Sequence, residues 1–136
     1  MSCENIPGGL ERMDKWTPLV FGAILGVLAR DMVATRVCSI AGAGFPYGTL
    51  AVNLSGCLLV GVFDSWTGAR GFLGSTSRLF LMTGFCATYT IFATLVLESS
   101  NLVNAGQTVR ALTNYLGSGV LGFGFFRLGA LLERIF

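Results

Sequence analysis

A chain of 136 residues has room for about one domain. Apolar residues make up 53% of it and charged residues only 12%, with 19 Gly, 11 Phe and a mean hydropathy of +0.71, more apolar surface than one soluble core of this size can hide. A net charge of +2 excludes a basic nucleic-acid binder, and the lack of any His removes the commonest general base and metal ligand, so an integral membrane protein remains rather than a disordered chain or a soluble enzyme.

Residues 1–15 read as an N-terminal arm: they mix Glu4, Glu11, Arg12, Asp14 and Lys15 with Pro7 and the Gly8-Gly9 pair. They turn apolar only at Trp16, which is not the pattern of a cleaved signal. Residues 16–136 then form the membrane unit. The uncharged run over residues 16–29 is short for a span of about 20 residues, so the first helix is expected to continue past Arg30 toward Arg36, those charges facing protein or water. Residues 37–63 are uncharged again, broken by Ala41-Gly-Ala-Gly-Phe-Pro46, and the second helix is expected to open near Pro46 and end near Trp66.

Residues 67–78 read as a Gly/Ser-rich connection, and residues 79–97 as a third span bounded by Arg78 and Glu98. Residues 98–110 read as a polar loop. A fourth run, residues 111–126, extends past Arg127 to about Leu132. Four spans put both termini on one side. That side carries Arg12, Lys15, Arg70, Arg78, Arg127 and Arg134 against Arg30, Arg36 and Arg110, a mild lean toward a cytoplasmic N-terminus.

Small residues recur at helix-packing spacing, Gly22 with Gly26 and Ser118 with Gly122. Cys3, Cys38, Cys57 and Cys86 lie far apart, without ligand or disulfide spacing. Polar residues inside the apolar runs are harder to dismiss as packing. Thr88, Thr90, Thr94 and Ser118 can return their hydrogen bonds to their own helices. Asn53 and Asn114 carry amides that need several partners in hydrocarbon, and Asn53 in particular is expected to line a path or a buried site.

The stretch Gly84-Phe-Cys-Ala-Thr-Tyr89-Thr-Ile-Phe92-Ala-Thr94-Leu-Val-Leu-Glu98 resembles the third helix of the Fluc (CrcB) family of small fluoride channels, which reads G-F-C-G-G-F-T-T-F-S-T-F-S-L-E. The second helix agrees: Pro46-Tyr-Gly48-Thr49-Leu-Ala-Val-Asn53-Leu-Ser-Gly56 is similar to the family's P-x-G-T-L-x-V-N-x-x-G. Gly26-Val-Leu-Ala-Arg30 is similar to its G-A-L-L-R, and the resemblance covers roughly residues 20–132.

The resemblance implies an all-α membrane protein of four transmembrane helices, the third broken near its middle, paired as an antiparallel, dual-topology dimer with itself or a paired homologue. It implies a multi-pass protein of the cell membrane, surrounded by lipid and not an enzyme, that exports F⁻ passively. A structural, untransported Na⁺ at the dimer centre would be held by the backbone carbonyls of Gly84 and Ala87. The fluoride pathway would run along Asn53, Tyr89, Thr90, Phe92, Thr94, Asn114, Tyr115 and Ser118, with Arg30 and Glu98 as structural charges. Fluoride is small and strongly hydrated, so amide and hydroxyl donors, together with the positive edges of aromatic rings, must replace its water.

The chain departs from the family pattern at Tyr89, which replaces a Phe, at Ile91 and Ala93, which replace hydroxyl residues, and at Asn114, which replaces a Tyr that here falls beside it as Tyr115. Two alternatives stay open. One is a non-conducting or half-active partner subunit of a heterodimeric fluoride channel. The other is a small four-helix multidrug-type transporter, against which stands the lack of any acid over residues 16–29.

Overall fold

The computed structural model describes the backbone over residues 9–42, 44–68 and 74–132, and side chains over residues 14–42, 44–66 and 74–132. Most of the N-terminal arm, with Cys3, the centre of the connection before the third span, with Arg70, and Arg134 lie outside the described residues. All regular structure among the described residues is helical. Four stretches are long and apolar enough to cross a membrane: Asp14–Ala41, Tyr47–Trp66, Ser75–Asn104 and Thr108–Leu132.

Helix α1, Gly9–Ala41, opens inside the stretch read as an arm and runs five residues beyond Arg36. Nothing in its sequence stops it earlier, because Pro18 removes one N–H without ending the helix. It ends where Gly42 takes φ +82 and donates its N–H to the Cys38 carbonyl. Helix α2, Tyr47–Gly68, starts directly after Pro46.

The third span is composite. It consists of a short helix α3, Ser75–Arg78, a π-helical stretch Leu79–Cys86, and one further turn, α4, Ala87–Tyr89. Thr90 (φ −80, ψ 149) and Ile91 (φ −135, ψ 92) are extended, after which helix α5, Phe92–Asn104, begins. The expected polar loop over residues 98–110 is mostly helix instead. Only residues 105–107 connect α5 to α6, Thr108–Leu132. The helix persists because Glu98 and Ser99 find side-chain partners on other helices. It stops at Gly106, whose φ of +75 lets Gly106 N–H reach the Val103 carbonyl and Gln107 N–H reach that of Leu102.

Two close crossings organise the bundle, α1 against the first half of the third span and α2 against α6. In the first, Gly22 and Gly84 put bare backbone against backbone, and a Cβ on Gly26 would run into Thr88 Oγ1 and the Phe85 carbonyl. In the second, Gly61 meets the carbonyl of Phe126, and Gly129 meets that of Leu58. Close approach of small residues is what drives association in lipid, where burying Leu brings no hydrophobic gain.

The burial pattern is inverted relative to a soluble domain. Thr49, Asn53, Ser99, Asn114 and Ser118 are buried, while Phe21, Leu28, Met32, Val120 and Phe123 point outward.

Candidate functional site

A groove of about 570 Å³ lies between α2, the third span around the extended residues Thr90 and Ile91, and α6. Asn53, Cys57, Thr90, Phe92, Leu95, Tyr115, Ser118, Gly119, Gly122 and Phe123 are among its walls. Five of the eight expected pathway residues therefore meet here: Asn53, Thr90, Phe92, Tyr115 and Ser118.

The extended backbone at Thr90 and Ile91 strips neighbouring groups of their helical partners, and those must be satisfied from elsewhere in a membrane. Ile91 N–H, which would reach back to the Ala87 carbonyl in a continuous helix, donates to Asn53 Oδ1 at 3.0 Å. The Thr88 carbonyl, which would have served Phe92 N–H, accepts from Arg30 Nη1 at 3.3 Å. Arg30 is thus turned onto protein, half-buried, while Asp31 and Arg36 stay exposed.

The donors differ in whether they are free. Thr90 Oγ1 donates to the Cys86 carbonyl at 3.1 Å, so its proton is committed. Asn53 uses its carbonyl oxygen on Ile91, which leaves its amide NH₂ to the groove it lines. Ser118 Oγ is buried in the groove wall with no hydrogen-bond partner among the described residues. Phe92 is 66% exposed, and its ring stands 6.3 Å from that of Tyr115 at an interplanar angle of 59°. Each ring carries a positive edge that an anion beside it can meet. Hydrogen-bond donors and ring edges are groups that can face a small anion.

The other expected residues sit apart from the groove. Tyr89 is buried, its ring stacked on Phe85 and its hydroxyl 2.8 Å from Ser55 Oγ. Asn114 is fully buried, with Nδ2 donating to Ser99 Oγ at 3.2 Å and Oδ1 unpaired among the described residues. Thr94 is half-buried and does not line the groove. Glu98 Oε1 accepts the Thr49 hydroxyl at 2.8 Å, and Oε2 is a buried oxygen without a partner among the described residues. Gly84 is buried at the α1 crossing, where its carbonyl is the nearest acceptor for Thr88 Oγ1 at 2.7 Å; Ala87 is exposed.

Sequence reasoning did not single out Ser55, Thr49 or Ser99 for roles. Ser99 and Asn114 lie 15 residues apart across a short turn, a signal visible only once residues 98–104 are known to be helical. Ser55 looks like any serine returning its proton to its own helix, as it does to the Ala51 carbonyl at 2.7 Å.

Residues 17–130 match the family model described as CrcB-like protein, Camphor Resistance (CrcB). Among similar proteins, a fluoride-specific ion channel FluC of Nitrobacter winogradskyi is 35% identical over 124 residues, covering 89% of this chain and 98% of that protein. One from Methylocella silvestris is 40% identical over 95 residues, 68% of this chain and 72% of that protein. One from Maridesulfovibrio salexigens is 33% identical over 123 residues, 90% and 98% respectively.

Proposed function

This chain belongs to the CrcB-like protein family, and on that basis we propose that it forms a multi-pass membrane channel through which fluoride leaves the cytoplasm passively. HF crosses a bilayer as a neutral weak acid and dissociates inside. A fluoride-selective pore then lets the trapped anion out down the membrane potential. A channel of this kind moves an ion and makes no bond, so the protein is not an enzyme.

The observation that carries this reading is the groove itself. Asn53 and Ser118 bring uncommitted donors, and Phe92 and Tyr115 bring ring edges, to one place within the membrane-spanning bundle. The lack of carboxylates among its lining residues favours an anion over a cation. The extended residues Thr90 and Ile91 support treating the third span as a broken helix.

The groove is open along one side, and the large outward apolar side chains of α1 and α6 offer area for a second copy. Both leave room for the antiparallel partner that the family resemblance implies, a second subunit that would close the pore. The donor set fits a central Na⁺ bound by carbonyls. Ala87 O loses its helical donor to Asn53 and so can turn to a cation, while Gly84 O, one turn earlier, accepts the Thr88 hydroxyl. When bound, that ion would cross-link the two breaks without moving.

A second reading, a half-active subunit that needs a paired homologue, draws on Tyr89 lying outside the groove and on Asn114 being fully buried. Liposomes reconstituted with this chain alone separate the two readings. Fluoride efflux without comparable chloride efflux supports the channel. Efflux that appears only when a homologue is added supports the half-active subunit. Equal fluoride and chloride efflux overturns the selectivity.

A further inference from the structure

Tyr89 is the last helical residue before the extended pair Thr90 and Ile91, and it is only 4% exposed. Its Oη lies 2.8 Å from Ser55 Oγ on α2. The direction of that hydrogen bond follows from the rest of Ser55's surroundings. Ser55 has one proton, and its oxygen is 2.7 Å from the Ala51 carbonyl, which can only accept. Ser55 therefore donates to Ala51, and the Tyr89 phenol donates to Ser55. The chain of bonds runs one way, and the phenol has no proton left for an anion.

The ring is also held on its faces. It stacks on Phe85 with centroids 5.6 Å apart and planes 10° from parallel. Gly56 lets α2 approach this stretch closely, since a Cβ there would run into Thr90 Cγ2 and stand 3.2 Å from Tyr89 Cδ1. Two residues before Ser55 on the same helix, Asn53 takes the N–H of Ile91. So α2 grips the third span on both sides of Thr90, by a side chain at 89 and by the backbone at 91.

We propose that Ser55 is a positioning residue that fastens the upstream edge of the break to α2 through the Tyr89 hydroxyl. Asn53 fastens the downstream edge, and together they set where Phe92 enters the groove beside Tyr115. The hydroxyl that distinguishes Tyr89 from a phenylalanine acts as a tether and not as a ligand. Its bearing on ion flow rests on the channel reading above. Its bearing on the break does not.

The test is a double-mutant cycle in the full chain, with Ser55→Ala, Tyr89→Phe and the pair, each assembled in membrane mimetic. Two quantities are read: fluoride flux per assembled protein, and amide hydrogen exchange at Thr90 and Ile91 against that of α6. In the Tyr89 background, Ser55→Ala strands a buried phenol. Flux should fall about tenfold, and exchange at Thr90 and Ile91 should quicken while α6 is unchanged. In the Tyr89→Phe background the same serine substitution should change neither quantity further. Unchanged exchange at Thr90 and Ile91, an equal Ser55→Ala effect in both backgrounds, or faster exchange throughout α6 would each overturn the tether. If the unmutated chain carries no fluoride, the channel reading fails and the exchange pattern alone decides the tether.

Discussion

Asn53 Oδ1 accepts the backbone N–H of Ile91 at 3.0 Å, so a side chain of the second span occupies the position that the third span's own carbonyl would hold in an unbroken helix. The amide of Asn53 is thereby divided. Its oxygen holds the extended backbone at Ile91, and its NH₂ is left to the groove. Few side chains can accept a backbone donor and still present one, and that pair of demands accounts for an asparagine at this depth.

Replacing Asn53 by Asp keeps the acceptor for Ile91 but exchanges the donor for a second oxygen. Two like charges 4 Å apart at an effective dielectric near 20 repel by about 4 kcal/mol. Fluoride flux should fall by two orders of magnitude or more, at roughly wild-type yield and with unchanged size-exclusion behaviour. Flux within a few-fold of wild type would show that the anion does not pass Asn53.

Phe92 is 66% exposed and lines the groove. Phe92→Ile keeps most of the apolar bulk and removes the ring edge, so flux should drop at least about tenfold while assembly is preserved. A well-assembled Phe92→Ile protein with wild-type flux would refute the aromatic-edge role.

The α1 crossing depends on the missing side chain of Gly26, because a Cβ there would collide with Thr88 Oγ1 and the Phe85 carbonyl. Gly26→Ala should lower stability by about 1–3 kcal/mol, since backbone has little freedom to give way. Gly124, with nothing near its absent Cβ, is the control, and Gly124→Ala should be neutral or stabilising by up to about 1 kcal/mol. Thermal melting in detergent compares the two. Equal shifts would mean that the crossing tolerates a methyl group.

Assembly should depend on Na⁺ if the Gly84 and Ala87 carbonyls of two subunits share one ion. Exchanging Na⁺ for a large organic cation at constant ionic strength should shift the size-exclusion peak toward monomer, and returned Na⁺ should restore it. An assembly and a flux both untouched by exhaustive Na⁺ removal would sink the carbonyl site.

Four membrane spans were legible in the sequence because hydropathy over about 20 residues is a local property. The small residues at 22 and 26 were legible as packing positions for the same reason, and the motifs around Asn53 and Phe92 carried the family. Tertiary structure alone decided what each polar group does. The stretch after Glu98 looks like a loop by composition, yet it stays helical because Thr49 and Asn114, from other helices, each donate a hydrogen bond to it, at Glu98 Oε1 and Ser99 Oγ. Tyr89 and Phe92, three residues apart, look like neighbours on one helical face, but the extended backbone at Thr90 and Ile91 sends one to Ser55 and the other into the groove. In hydrocarbon a freed backbone group must find its partner within the protein. Which side chain supplies that partner depends on how the helices cross, and pattern along one chain does not contain the crossing.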